Sequence, residues 1–238
     1  VPGYFEVDIK KGESIIFSAG ISVISPRRLK QTFEAEVADR TPRDSFYHCL
    51  KNSAHQFHNK QEEDHYILAG YPWFKCRARD MFVSLPGLTL AVDEIGEFED
   101  VMETARKAIN NYIKGEPIGC KIYEMDDPDV LLWAVWALQQ YAKETSREQC
   151  RAKYGSLLEE IIDFIRQRKH DNLFLHENGL LYANGADRAI TWMNSTVNGR
   201  PVIPRTGYIV EINALWYNAL RFIADLVREG GNGLLADS

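Results

Sequence analysis

Two segments of the sequence place charged and aromatic side chains within apolar runs. The first, GYPWFKCRARDMFVSLPG, occupies residues 70–87 and contains Trp73, Arg79 and Asp80. The second, ITWMNSTVNGRPVIPRTGYIVEINALWYNAL, occupies residues 190–220. Burying a charged group is costly unless a partner or a ligand compensates for it. These two segments are therefore the first candidates for binding and acid-base chemistry.

Together the two segments resemble the C-terminal catalytic domain of glycogen debranching enzymes, which has amylo-α-1,6-glucosidase activity. The family pattern GYPWFGxWGRDTFIxLPGL is matched in its YPWF, RD and LPGL elements, and LTWMDAxxxxxPVTPRxGxxVEINALWYNAL is matched almost throughout. The resemblance implies a glycoside hydrolase that removes a single α-1,6-linked glucose from a trimmed branch point, with an α-glucan such as glycogen or limit dextrin as its partner. It implies no metal and no organic cofactor, because two carboxylates and a water suffice.

A sugar pocket explains the residue types in these motifs. A glucose ring presents apolar C–H faces and a rim of hydroxyl groups, which suit aromatic platforms and short charged hydrogen-bonding groups. The candidate substrate-binding residues are Trp73, Arg79, Asp80, Asp129, Trp192, Arg205 and Trp216. Four of them have structural alternatives. Trp216 could fill the core, Arg79 with Asp80 could form a structural ion pair at a helix start, and Asp129 could be an N-terminal helix charge.

Hydrolysis with inversion needs a protonated carboxylic acid and a carboxylate base roughly 6.5 to 9.5 Å apart. The family places its general acid in TWMDA, where this sequence has Asn194, and an amide has no proton to give. The resemblance implies that the base lies beyond Ser238, so we expect the chain by itself to be inactive. Glu211 is the nearest remaining carboxylate of the pattern, interpreted as a ligand contact or a support rather than a replacement acid.

Asn194 leaves three explanations open: a natural loss of hydrolysis with glucan binding retained, an acid supplied from elsewhere, or an engineered substitution. Asp187, in the loop NGADRA, could reach the site, although a solvated loop charge suits it better. Two alternatives to the hydrolase follow. One is a non-catalytic α-glucan-binding domain, which Asn194 favours. The other is a structural helical toroid with a protein-interaction surface, which the charged residues within the apolar segments disfavour.

The net charge and the hydropathy of the sequence argue against two classes of partner, nucleic acids and membranes. A net charge of -6 and an isoelectric point of about 5.6 supply no basic field for nucleic acid. The richest apolar run, residues 130–138, is about half the length that a membrane span needs. No targeting peptide is visible from Val1 onward. We therefore expect a cytoplasmic protein with no nucleic-acid or membrane partner, and the sequence leaves the oligomeric state open.

The cysteines and histidines predict no metal site. The four cysteines have no CxxC spacing, as expected for reduced thiols of a cytosolic protein. His48, His55 and His58 could share one helical face at offsets of seven and three. They lack an acidic or cysteine partner at the same spacing, so we do not predict that they bind a metal.

The elements that position these motifs are mostly helices. Alternating apolar residues between Phe5 and Phe17, broken at Gly12, predict a β-hairpin. After Ser25-Pro26 the period changes to that of helices, with amphipathic stretches at 98–112 and from Ser156. The stretches 130–138 and 214–223 are apolar on nearly every face and should lie innermost.

Periodicity alone indicates a mainly α chain, and the resemblance implies a six-hairpin (α/α)6 barrel. That barrel needs about a dozen helices, and seven or eight are visible. We therefore expect residues 1–25 to end a β domain and residues 26–238 to form the first part of an incomplete barrel. Only helices should follow Ser25, and a parallel sheet anywhere after it would rule the barrel assignment out.

Overall fold

The structure, a computed structural model, describes residues 3–20, 23–71 and 73–229. Seven α-helices lie in these ranges, so the predicted mainly α-helical class is confirmed. The chain divides into two compact units, residues 1–53 and residues 54–238. The predicted domain boundary at Ser25 stays a prediction.

The first unit lacks the predicted β-hairpin within residues 3–20 and 23–25. The chain does turn at Lys11 and Gly12, where the amide of Glu13 donates to the carbonyl of Lys10 at 3.0 Å, and the rings of Phe5 and Phe17 lie 6.3 Å apart. The two arms form no ladder in the described residues. Both rings are exposed, and a two-stranded ribbon without an apolar layer to pack on is marginal.

Two helices follow in this part of the chain, α1 (Leu29–Ala38) and α2 (Phe46–His55). Asn52 holds the connection between them, because its side-chain amide donates to the carbonyls of Thr41 at 2.7 Å and His48 at 2.9 Å.

The second unit is built on five longer helices: α3 (Ala78–Leu88), α4 (Ile95–Lys114), α5 (Val130–Glu144), α6 (Arg147–Arg166) and α7 (Val210–Glu229). Helix α5 packs beside both α3 and α7 in one row. Helices α4 and α6 pack against each other, and α6 also packs on α5 and α7. The Phe98 ring of α4 stacks on the Tyr141 ring of α5 at 5.1 Å. Helix α5 is therefore covered from several sides.

Burial confirms two of the helix predictions and corrects a third. Residues 130–138 are buried or nearly so, and helix α6 buries its apolar face while its charged face is exposed. The stretch 214–223 was expected to be buried on every face, but Ala214 and Leu220 are exposed and Tyr217 is 67% exposed. Helix α7 buries one side instead, through Ile212, Trp216, Ala219, Phe222 and Leu226. The described part of the chain offers no cover for the opposite side.

Four two-stranded ribbons connect the helices, so the expectation of helices alone after Ser25 is wrong. Three are antiparallel: β1 (His58–Gln61) with β2 (Asp64–Ile67), β5 (Leu173–Leu175) with β6 (Leu181–Ala183), and β7 (Thr196–Val197) with β8 (Arg200–Pro201). Strands of two to four residues are too short for alternation to be recognised in a sequence.

The fourth ribbon is a parallel pairing, which the barrel prediction did not allow for. Strand β3 (Cys76–Arg77) pairs with β4 (Ile122–Tyr123). The pairing covers two residues on each strand and joins the start of α3 to the segment before α5. The connection between the two strands runs through α3 and α4. By the criterion given above, this pairing counts against the barrel, which stays a proposal.

None of the helices in the described residues has the length and apolar character that crossing a membrane requires.

Candidate active site

Arg79 is the centre of a buried charge cluster at the start of α3. Its side chain is 7% exposed. The guanidinium donates to Asp129 from Nε at 2.8 Å and from Nη2 at 2.9 Å, and to Asp127 Oδ2 at 2.7 Å. Nη2 also reaches the carbonyl of Ile190 at 3.1 Å. One side chain thus joins α3, the start of α5 and the segment before Trp192.

The structure does not form the Arg79–Asp80 ion pair that was the structural alternative for these two residues. Asp80 is exposed and lies 3.7 Å from Arg77 Nε, while Arg79 pairs with Asp127 and Asp129 instead. Neighbouring residues in a helix point about 100° apart, so an Arg-Asp dipeptide does not bring its own charges together.

Burial and charge act in opposite directions on this cluster. Burial raises the pKa of Asp127 to about 6, although the guanidinium groups of Arg79 and Arg188 act to lower it. Burial acts to lower the pKa of Arg79, but the bonds to Asp129 and Asp127 outweigh it and raise that pKa. Arg188 donates to Asp127 Oδ1 at 3.2 Å, so both carboxylate oxygens accept from a cation.

The cluster forms one end of a cavity of about 510 Å³. Five of the predicted site residues line this cavity although they are far apart in sequence: Arg79, Asp80, Asp129, Trp192 and Glu211. Apolar side chains complete the wall, among them Phe57, Leu68, Val83, Leu88 and Trp133.

Trp192 is held at the cavity by Glu211. Its indole nitrogen donates to Glu211 Oε1 at 3.2 Å, and Arg205 Nη2 donates to the same oxygen. Arg205 also contacts the sulfur of Met193 at 3.3 Å. Arg205 therefore lies behind the cavity wall and supports Trp192 through Glu211. Trp192 itself is 60% exposed, so its ring is available to a ligand.

Trp133 is a cavity residue that the sequence reasoning missed. Its indole nitrogen donates to Asp129 Oδ2 at 3.2 Å, which fixes the ring beside the charge cluster. A signal was present in the sequence, because Trp133 follows Asp129 by four positions, which is about one helical turn. Its position within a uniformly apolar helix made it resemble a core residue.

Two predicted platforms lie away from the cavity. Trp73 is 84% exposed and is not among the cavity residues. Trp216 is 4% exposed, and its indole nitrogen donates to the carbonyl of Gly179 at 3.3 Å. Trp216 therefore takes the core position that its apolar surroundings also allowed.

Asn194, which stands at the position of the family acid, does not line this cavity either. It is exposed and lines a second cavity of about 330 Å³ together with Asp127 and Asp187. Asp129 lines the larger cavity and Asp127 the second one, and both bind Arg79, so the charge cluster contributes to the walls of both cavities. Asp187 does reach the surroundings of Asn194, whereas Glu211 lines the other cavity.

The larger cavity suits a ligand with apolar faces and a polar rim. Two tryptophan rings and aliphatic side chains form its sides, and three carboxylates offer hydrogen-bond acceptors. Its volume lies within the range of small-molecule sites. Carboxylates that accept from hydroxyl groups orient such a ligand, and the same groups are the ones that acid-base chemistry uses.

Comparison with known proteins gives a family and no individual relative. Neither the curated proteins nor the solved structures contain a match to this chain. The family described as amylo-alpha-1,6-glucosidase matches residues 51–232, which include every side chain of both cavities. On that match, the chain belongs to the amylo-alpha-1,6-glucosidase family.

Proposed function

We propose that the chain is a glycoside hydrolase domain of the glycogen debranching type that acts on α-1,6-linked glucose of an α-glucan. The observation that supports this proposal is the cavity of about 510 Å³, in which Trp133, Trp192, Asp80, Asp129 and Glu211 converge. Family membership supports the substrate class, and the side chains supply the surfaces that a glucose ring needs.

In this proposal the ring of Trp192 stacks on an apolar face of the glucose. Its Glu211 partner keeps the indole in place, and Arg205 keeps Glu211 in place. Asp80, which is exposed and lies 3.7 Å from the nearest Arg77 nitrogen, accepts from the sugar hydroxyl groups. Asp129 is already held by Arg79 and Trp133, so it shapes the end of the cavity.

The inverting mechanism of the family needs an acid and a base on opposite sides of the scissile bond. Asn194 cannot supply the proton, and it lines the neighbouring cavity. We therefore propose that the general acid for hydrolysis is the carboxylic acid of a residue other than Asn194.

The proposed architecture is part of an (α/α)6 barrel. Helices α3, α5 and α7 form one row, and α4 and α6 form a second layer. A double layer of this kind is how a helical toroid is built. The charged cavity residues belong to the start of α3, the residue before α5 and the start of α7, so the proposed site lies near the N-terminal ends of these three helices.

A second function is favoured by Asn194 specifically. An amide at the position of the family acid is compatible with a domain that binds α-glucan and does not hydrolyse it. Both functions use the same cavity, so they differ in product release and not in affinity.

Binding is tested by calorimetric titration of a branched limit dextrin into the chain and its variants. Trp192→Ala should weaken binding about tenfold or more, since a stacked aromatic side chain contributes on the order of 1.4 kcal/mol. Trp73→Ala is the matched control, because Trp73 is exposed and lies outside the cavity. Equal affinities of Trp192→Ala and the unchanged chain would refute the proposed site.

Hydrolysis is tested by glucose release from the same dextrin, comparing the full-length protein with its Asn194→Asp variant. Release by the unchanged protein supports the hydrolase with its acid elsewhere. Release by Asn194→Asp alone would establish binding without hydrolysis for the natural sequence and return the acid position to residue 194.

A further inference from the structure

A group of histidines and carboxylates lies between the β1–β2 hairpin and the N-terminal half of α4. These side chains line a separate cavity of about 270 Å³, with His55, His58, His65, Glu94 and Glu97 among its residues. The hairpin is fixed on α4, because the amide of His65 donates to Thr104 Oγ1 at 2.9 Å. The side chains of the cluster therefore face one another from two connected elements.

The polar atoms of the cluster stand further apart than the atoms of most direct hydrogen bonds. The ligand atoms of His65, Glu97 and Asp100 all lie within 4.8 Å of one another. His65 Nδ1 lies 3.6 Å from Glu97 Oε2 and 3.7 Å from Asp100 Oδ2. His58 Nδ1 lies 3.5 Å from the same Glu97 oxygen. Side-chain hydrogen bonds are normally shorter, at about 2.7–3.2 Å.

The hydrogen bond on the far side of His58 defines its tautomer. His58 Nε2 lies 3.2 Å from the carbonyl oxygen of Leu88, which can only accept, so Nε2 carries the proton. In the neutral ring, Nδ1 then presents a lone pair to the Glu97 carboxylate. Two acceptor atoms that face each other at 3.5 Å repel each other, and a cation bound by both atoms would remove this repulsion. A histidine whose other nitrogen donates to a backbone carbonyl is also the usual arrangement in metal sites.

The distances exclude magnesium, and the donor types favour a transition-metal ion. Nitrogen and oxygen ligands at about 2.0–2.1 Å from zinc stand about 3.3 Å apart at the corners of a tetrahedron. Octahedral ligands of magnesium would stand only about 2.9 Å apart, and those of calcium about 3.3–3.7 Å apart. The observed separations of 3.5, 3.6 and 3.7 Å are therefore too wide for magnesium. Imidazole nitrogens also prefer zinc and its neighbours to magnesium or calcium.

The sequence could not show this group because its members come from three elements. Glu97 and Asp100 are three positions apart on one face of α4, while His58 and His65 lie on β1 and β2. His48, which sequence spacing had grouped with His55 and His58, pairs with Asp44 at 2.5 Å instead. The acidic partners that the histidines lacked along the chain are supplied by α4.

We propose that His65, Glu97 and Asp100, together with His58, bind a divalent transition-metal ion, with zinc the best fit. The ion ties the β1–β2 hairpin to α4. It takes no part in glucan hydrolysis, since the four ligands are absent from the larger cavity. The residues on either side of the hairpin, Phe57 and Leu68, do line that cavity, so the ion supports the wall of the site from behind.

The test first removes metal from the chain with a chelator. Zinc binding is then measured by calorimetric titration, and the zinc content is determined after desalting. The unchanged chain should retain about one zinc per molecule. Glu97→Gln and His65→Gln should each weaken binding by at least about tenfold. His48→Gln is the matched control and should bind as the unchanged chain does. Failure of the folded, unchanged chain to retain zinc would overturn the proposal, as would equal affinity in Glu97→Gln.

A second measurement separates lost ligands from lost folding. Zinc should raise the melting temperature of the unchanged chain and of His48→Gln, because it binds the folded state. It should not raise that of Glu97→Gln, whose amide keeps the shape of the side chain. An equal rise in all three proteins would show that the ion binds elsewhere. Neither measurement involves glucan, so the metal site and the proposed hydrolase function stand or fall separately.

Discussion

Replacing Arg79 by methionine should destabilise the second unit strongly, because it removes the cation from a buried cluster while keeping most of the side-chain volume. Asp129 is 2% exposed and would keep only the uncharged donor of Trp133 among the side chains that now bind it. Asp127, which is 5% exposed, would keep Arg188. Leaving one charge of a buried pair without its partner costs about 3–5 kcal/mol. For a protein of this size that is a fall of about 6 to 20 °C in melting temperature.

The loss of stability in Arg79→Met should depend on pH, and the titration of Asp127 determines whether the loss grows or shrinks as pH rises. Burial raises the pKa of this carboxyl from 3.8 to about 6 in the folded chain. Its contribution to stability is therefore full below the unfolded pKa and is lost as pH rises through about 6. Removing the Arg79 guanidinium takes away an effect that lowers this pKa. The deficit of Arg79→Met should thus be larger at about pH 8 than at about pH 5.

The assay is urea unfolding at both pH values, with Arg77→Met as the control. Arg77 stands two residues away and pairs with Glu124 at 2.7 Å, but its side chain is 25% exposed and that of Glu124 is 42% exposed. An ion pair that water reaches contributes about 0–1 kcal/mol. If the two variants were equally stable, Arg79 would not be the centre of a buried cluster, and the site geometry derived from it would be wrong.

Two further predictions concern helix α6 and His170. Ser146→Ala should destabilise the protein by about 1 kcal/mol in thermal unfolding, because the Ser146 hydroxyl accepts from the amide of Gln149 at 3.0 Å as the N-cap of α6. The control is Ser156→Ala, at an exposed position within the same helix, which should be neutral or slightly stabilising because alanine is the better helix former. Burial lowers the pKa of His170 from 6.5 to about 4, so this residue contributes stability above the unfolded pKa that is lost, by about 3 kcal/mol, as pH falls to about 4. His170→Gln should show a correspondingly smaller acid-side loss in urea unfolding, and parallel pH profiles would contradict the assignment.

Helix prediction succeeded where one face is consistently apolar. In α4 the predicted stripe is buried, and the helix ends at Gly115, whose φ of 71° is readily adopted only by glycine. Helix α6 was expected from Ser156 but begins at Arg147. Its first half buries Cys150 and Tyr154 within a mostly charged stretch, so the apolar period is weak there.

The candidate site was predicted by motif resemblance and could not have come from periodicity. Asp80, Asp129 and Glu211 meet only because α3, α5 and α7 pack side by side. Motif resemblance does not predict which cavity a loop side chain enters, as Trp192 and Asn194 show. They are two residues apart in an irregular segment yet line different cavities, since side-chain direction in a loop is set by tertiary contacts and has no fixed period.

The bonds of Arg79 also bear on how the chain reaches its folded state. The guanidinium joins positions 48, 50 and 111 residues further along the chain, so no local segment can form the cluster early. Contacts of such long range must first overcome the entropy of closing the intervening loops, which slows their formation. Until they close, the guanidinium and both carboxylates stay hydrated. The pocket should consequently mature in the last kinetic phase of refolding, and recovery of ligand binding should lag behind recovery of helical signal.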